Sequence, residues 1–322
     1  MTRHRMKIVL AVLGALLWLA PVAAQVQPPL RIMVGFAPGG SLDTVARLVG
    51  AALGHELGLP VVVENRPGAN GNIAAEQVSR GPADGNTLLA TFNTHPFLAA
   101  LHPHLGFDPI ADFRPVGLIA STPYLLVANP ALPGRDLAEA FARAKADHRV
   151  LSFGTVGPGS PQHLSAVRLQ AKAGVPLTIV HYKGGSPAQN DVMAGHVDMM
   201  SATIALAMPQ VQAGRLKVLA VSTTQRLAAL PGVPTLDELD FRGVVPDGWY
   251  GLLLPARTPD ALAVRYNEAL GRALQAPALR ERLEALGMPP LGGPPGRMDA
   301  LMRQERDTWS KIIRDKHIRA EE

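Results

Sequence analysis

The sequence predicts an α/β fold with parallel sheets, and three observations predict it. Short apolar runs alternate with stretches of helical periodicity along most of the chain. Glycine- and proline-rich turns separate them, and the connections are short. One unit, an apolar run followed by a glycine loop and a helix start, occurs three times, around Gly39, Gly159 and Gly184. The chain has 322 residues, enough for two domains with cores of their own.

Each element follows from its local pattern. Leu30 to Val34 reads as a strand stopped by Pro38-Gly39-Gly40-Ser41, after which Leu42, Val45, Val49, Ala52 and Leu53 fall at helical spacing. Val61 to Asn65 is a short buried strand ended by Arg66-Pro67-Gly68, with a helix around Ile73 to Ser79. Pro82 to Gly85 turns the chain into the strand Thr87 to Phe92. Thr122-Pro123 splits two further strands, Val116 to Ser121 and Tyr124 to Asn129. A helix over Leu137 to Ala146 leads to a strand at Val150 to Thr155, then Gly157 to Ser160 and a helix over Gln162 to Ala173. Leu177 to Ser186 repeats the strand and glycine turn. Val197 to Ala202, a helix ending at Ala213, Leu216 to Ser222 and Trp249 to Pro255 follow. From Pro259 to Lys316 the pattern is mostly helical, interrupted at Pro277 and between Pro289 and Pro295.

The glycine loops are where function is expected. A strand that ends in a glycine turn and opens a helix exposes backbone N–H groups at the positive end of the helix dipole, which suits an anion. In an α/β sheet these loops lie beyond the carboxyl ends of the strands, where ligands bind. Small hydroxyls at Ser41, Thr155 and Ser160 can add donors without bulk. Asp43, in the first turn, competes for the same dipole and is expected to orient the loop rather than touch an anion.

Composition removes several function classes. There is no cysteine, so disulfides, thiol catalysis and cysteine-ligated metals are excluded. The formal charge is +5, but Arg3, Arg5 and Lys7 stand in the N-terminal segment, which leaves the remainder nearly neutral and argues against nucleic acid. Aromatic residues are scarce. Those three basic residues precede the apolar run Ile8 to Ala20, then Pro21 and the small residues Ala23-Ala24, the pattern of a cleavable secretory signal over residues 1–24. No cysteine follows for a lipid anchor.

Enzyme motifs fail one by one. The first loop has no phosphate-binding lysine and no G-x-G-x-x-G. Gly184-Gly185-Ser186-Pro187-Ala188 departs from a nucleophile elbow at its closing position, and only His196 and His317 follow Ser186, so a secreted serine hydrolase is the weaker alternative. His95, His102 and His104 read as surface imidazoles rather than a metal site, because no acid or cysteine stands at ligand spacing. No catalytic residue, cofactor or metal is expected.

Read together, "RIMVGFAPGGSLDTVARLV", "VVVENRPGANGNIAAEQV", "PADGNTLL", "FDPIADFRPVGLIA", "HYKGGSPAQNDVMAGHVDMM", "AGRLKVLAVSTTQRLAALPGVPTLDEL" and "WYGLLLPARTP" resemble the tripartite tricarboxylate transporter substrate-binding proteins, the Bug-type receptors. The resemblance covers the chain beyond residue 24. It implies a two-domain periplasmic-binding-protein fold, a type II-like venus flytrap with a ligand cleft between domains. The implied ligand is a small organic carboxylate, and the implied partner is the membrane permease of a tripartite transporter. A signalling role for the same fold is a further alternative.

Carried over residue by residue, the resemblance places Phe36, Ala37, Pro38, Gly39, Gly40, Ser41 and Asp43 at the first ligand loop, which in the family holds a carboxylate through backbone groups and ordered waters. Asn93 and Thr94 complete that wall. Thr155, Val156, Gly157, Pro158, Gly159, Ser160 and His163 form the second loop, and Tyr182, Lys183 and Gly184 the third, with Lys183 the one nearby cation. Asn70 replaces a usual glycine, which asparagine's tolerance of left-handed backbone permits. Ala202 stands where several amino-acid-binding members carry Asp, which favours a di- or tricarboxylate over an amino acid. The strands near Tyr124 and Trp249 are expected to cross between domains, giving domain one residues 25–123 and 247–322, domain two residues 124–246, and a monomer. N-terminal sequencing of the secreted protein is expected to begin at Gln25; a membrane-bound form that keeps Met1 would contradict the signal-peptide reading.

Overall fold

The computed structural model describes residues 28–182, 184–245 and 248–319. The expected signal peptide, Lys183 and the domain boundary at 246/247 lie outside them. Ten strands are β1 (Leu30–Val34), β2 (Val61–Asn65), β3 (Thr87–Phe92), β4 (Phe113–Ser121), β5 (Tyr124–Ala128), β6 (Leu151–Thr155), β7 (Leu177–His181), β8 (Met199–Thr203), β9 (Lys217–Val221) and β10 (Trp249–Pro255). They form two five-stranded sheets, in the orders β2-β1-β3-β10-β4 and β7-β6-β8-β5-β9. Helices pack on both, so the fold is α/β with two domains.

The sheets are mixed, which corrects the expectation of parallel ones. Among the strands of the described residues, β2-β1-β3 and β7-β6-β8 pair in parallel. The fourth strand of each runs against both neighbours: β10 against β3 and β4, β5 against β8 and β9. Each of these strands enters straight after the chain has come over from the other sheet. Both are apolar along their whole length and wholly buried, and such runs carry no signal of direction.

Helix α1 (Ser41–Leu57) shows why the first unit folds as it does. Leu42, Val45, Ala46, Val49 and Leu53 form one stripe, buried against Leu30, Ile32 and Val34 of β1. Burying a side chain of this size stabilises the fold by about 1.5–3 kcal/mol. Gly58, in left-handed conformation, stops the helix and donates to the Gly54 carbonyl. The remaining helices are α2 (Asn72–Ser79), α3 (Leu98–Leu101), α4 (Leu137–Ala146), α5 (Pro161–Ala173), α6 (Gly185–Ala194), α7 (Ile204–Gln212), α8 (Asp260–Gln275), α9 (Pro277–Ala285) and α10 (Pro295–Asp315). Pro277 and Pro295 open α9 and α10, the position where a missing N–H costs nothing. Helices α8 and α10 return to the first sheet and pack on β4. Among the described residues no helix is long and apolar enough to cross a membrane.

The two crossings lie side by side. The Thr122 N–H donates to the Gly248 carbonyl at 2.8 Å, and a Cβ on Gly248 would sit 2.1 Å from the Thr122 carbonyl oxygen. Only glycine fits there. Gly248→Ala is expected to lower stability by about 1–3 kcal/mol, the usual cost of forcing atoms into a packed site, read from urea denaturation; an unchanged midpoint would show that the crossing yields freely.

Candidate functional site

The parallel strands β1, β3, β6, β7 and β8 all end in loops that open helices or tight turns, and these loops carry the predicted residues. The first loop runs from Gly35 to Gly40. Gly39 has φ +84°, a left-handed conformation that glycine adopts without strain, and its N–H donates to Asp43 Oδ2 at 2.9 Å. Gly40 is extended, with φ −74°, and caps α1 without any side-chain hydrogen bond. The turn requirement therefore falls on Gly39. The first-turn amides after Gly40 have no intrahelical partners, and residues 37–41 are exposed.

Asp43 is buried and satisfied from within. Arg47 Nε and Asn65 Nδ2 reach its two oxygens at 3.0 and 2.9 Å, and the Arg47 guanidinium also pairs with it at 2.9 Å. Burial alone would raise its pKa, but the hydrogen bonds from Arg47, Gly39 and Asn65 together with the Arg47 charge hold it below the ordinary carboxylate range. Asn65 also donates to the Phe36 carbonyl at 3.0 Å. Asp43 thus orients the loop and offers no lone pair to a ligand.

Beneath this loop Gly35 backs onto Gly71: a Cβ on Gly35 would lie 2.5 Å from Gly71 Cα. Gly71 itself has φ +92° and lies under the Phe36 ring, which packs edge-on against Phe92 at 5.1 Å. A cavity of about 20 Å³, lined in part by Gly35, Phe36, Gly71 and Thr94, has room for one water. Asn93, at the end of β3, is fully buried, and neither its amide oxygen nor its amide nitrogen has a partner among the described residues. An amide left this way costs about 1–3 kcal/mol, so a water or ligand atom is expected to meet it. Ser41 and Thr122 side chains hydrogen-bond the Tyr250 phenol, whose pKa burial raises.

The second loop repeats the geometry of the first. Gly159, at φ +73°, donates to His163 Nδ1 at 3.0 Å, as Gly39 does to Asp43. Here the helix is capped: Ser160 Oγ accepts from His163 N–H at 3.2 Å and donates to the Gly157 carbonyl at 2.7 Å. Ser160 N–H bonds the Gly157 carbonyl, and Gly157 N–H reaches Thr155 Oγ1. The amides of Gly157, Gly159 and Ser160 are therefore committed internally, unlike those after Gly40. Thr155 Oγ1 and His181 Nδ1 share a hydrogen bond of 2.6 Å, and the rings of His181 and His163 meet edge to face at 4.8 Å. Burial and then the neighbouring His181 lower His163 to about 4.

The third loop holds Tyr182 and Gly184. Tyr182 donates from N–H to the Thr155 carbonyl and from its hydroxyl to Asp191 Oδ2 at 2.6 Å; burial and this bond push the phenol up to about 12. Gly184, φ +129°, opens α6 with no side-chain cap, and Thr203 opens α7 likewise. Ala202 is 1% exposed within an apolar cluster beside Ala188 and Val192, so Thr203 is the residue of β8 that emerges at the loop. Ser186 is exposed on the first turn of α6.

His95 is not a surface imidazole: it is buried, lies parallel to Phe107 and edge to face with Phe113, and bonds the Pro109 carbonyl at 2.9 Å, and burial lowers it to about 4. Among the described residues no group of three or more His, Asp or Glu could hold a metal. Sequence reasoning did not find Gly35, Asn65 and Gly71, which act through contacts between loops far apart in the chain; the "ENRPGANG" run is a local signal for Asn65 and Gly71 alone.

The family described as "Tripartite tricarboxylate transporter family receptor" matches residues 45–318. The chain is 31% identical to Protein BugT of Bordetella pertussis over 300 residues, which covers 92% of each. It is similar in structure to MatC of Rhodopseudomonas palustris, solved with malate, at 32% identity and TM-score 0.75, covering 88% of this chain and 98% of that one. Rpa4515 of R. palustris, solved with adipate, matches at 32% identity and TM-score 0.78, covering 90% and 98%.

The depressed histidines predict a pH dependence. Each binds its proton more readily in the unfolded chain, so between pH 6.5 and about 4 the unfolded state carries more protons. Their contribution is complete above 6.5 and is lost as pH falls through that window, on the order of 3 kcal/mol for the fully buried His95 and less for the half-buried His163. Urea unfolding at pH 7 and pH 5 is expected to show this loss, reduced in His163→Gln; equal stability at both pH values would refute it.

Proposed function

We propose that this chain, which belongs to the tripartite tricarboxylate transporter receptor family, captures a small dicarboxylate between its two lobes and delivers it to a tripartite membrane permease. Members of the family are solute-binding receptors, and solved relatives include periplasmic binding proteins, not enzymes. The observation that carries the reading is the uncapped start of α1 after β1, with the unpartnered Asn93 amide just past the end of the adjacent strand β3. A carboxylate there receives N–H bonds at the positive end of a helix and meets no competing acid, because Asp43 is already satisfied.

The ligand's other end faces the second lobe. The Gly157–Ser160 wall supplies shape there, and the uncapped start of α6 supplies donors, with Lys183 adjacent in sequence. Malate and adipate, bound by the two structural relatives, are both dicarboxylates, with a negative group at each end of a short chain. Asp43, the acid of the first loop, is already satisfied from within and cannot pair with an ammonium, so amino acids are disfavoured. We place lobe one at residues 25–123 and 247–322 and lobe two at 124–246, and the mature protein in the periplasm as a monomer. A ligand gripped from both sides favours the closed form because only there does it meet both sets of donors.

Screening mono-, di- and tricarboxylates and amino acids by thermal shift, then calorimetry, tests this. A dicarboxylate at 100 times its Kd is expected to add about 2.7 kcal/mol of stability. Gly40→Val leaves the extended backbone unstrained but puts a side chain over the open amides; it is expected to fold normally and bind about tenfold to a hundredfold more weakly. Ser186→Ala is expected to bind as the parent does. Tight binding of an amino acid in preference to every dicarboxylate would defeat the ligand class, and full affinity in Gly40→Val would defeat the loop assignment.

A further inference from the structure

We infer that α10 is a latch between the lobes, with Trp309 and Arg168 as positioning residues that hold the second ligand loop against the first lobe. The buried stripe of α10 has two halves. Met298 and Met302 lie in the first-lobe core with Trp249 and Phe113, so this half belongs to the first lobe. Trp309 and Ile313, about two and three turns beyond Met302, leave that core and share an apolar cluster with Phe97 and Leu101 of the first lobe and Leu164 of α5 in the second. Ile318, just past the helix, joins them.

A charged contact sits on the same face. The Arg168 guanidinium, one turn along α5 from Leu164, lies 5.1 Å from the centre of the Trp309 ring, a cation–π distance. Arg168 forms no ion pair among the described residues, and burial lowers its pKa. The lobes also meet at the ligand loop itself: a Cβ on Gly159 would lie 2.7 Å from Leu101 Cδ2. Leu101 therefore seats the left-handed glycine that fixes the second loop. Nothing in ligand contact is needed for this packing, so the latch sets how much of the free protein is already closed, and apparent affinity scales with that fraction.

The inference rests on the cleft being the ligand site, and two measurements separate them. Small-angle scattering of the ligand-free protein reads closure alone. Arg168→Met keeps most of the side-chain volume without the charge, and Leu101→Ala opens the contact from the opposite lobe. Both are expected to increase the ligand-free radius of gyration and to weaken malate or adipate binding about tenfold, with Arg168→Lys recovering part of both. Wild-type dimensions and affinity in both variants would overturn the latch, as would a lowered melting temperature with neither dimension nor affinity changed. If the parent protein binds neither acid, the ligand class fails while scattering still decides the latch.

Discussion

In each lobe a glycine loop is held by the same hydrogen bond. The N–H of a left-handed glycine just before the helix turns inward to the side chain three residues into that helix: Gly39 to Asp43, Gly159 to His163. This bond fixes the direction in which the strand leaves the sheet and the helix departs. The rest of the site depends on it, since the amides that follow can point at a ligand only when the glycine before them is held.

The two versions differ in what they leave free. Asp43 is charged, and Arg47 and Asn65 neutralise and satisfy it beneath the loop, so the open helix start above stays positive. His163 accepts at Nδ1, which places the proton of the neutral ring on Nε2, and burial keeps it neutral through the physiological range. The first loop is thus a donor surface and the second a shaped wall. Between them the sheets are joined through two adjacent crossings, and the α10 cluster lies on the side of Leu101 and Gly159.

Much of this was legible in the sequence because it is local. Pro38-Gly39-Gly40-Ser41 and Pro158-Gly159-Ser160 announce their turns within a few residues, and strand bounds such as Val61–Asn65 and Thr87–Phe92 agree with the apolar runs that predicted them. An acid in a first turn competes with any anion, so an orienting role for Asp43 is legible from its position alone. What escaped was non-local. The reversed directions of β5 and β10 depend on where the chain re-enters each sheet, and Gly35 matters only because Gly71 arrives against it. His95 read as surface because its aromatic neighbours Phe107 and Phe113 come from a later segment. Ala202 is buried because β8 lies inside its sheet with both faces covered, which the local sequence does not show.

Closure as proposed requires one ligand to meet donors of both lobes at once. Amide NMR of the glycines during a malate or adipate titration tests it most directly. Gly40 in the first lobe and Gly185 in the second are expected to shift with a single shared midpoint. Shifts confined to one lobe, or two separate midpoints, would contradict the account.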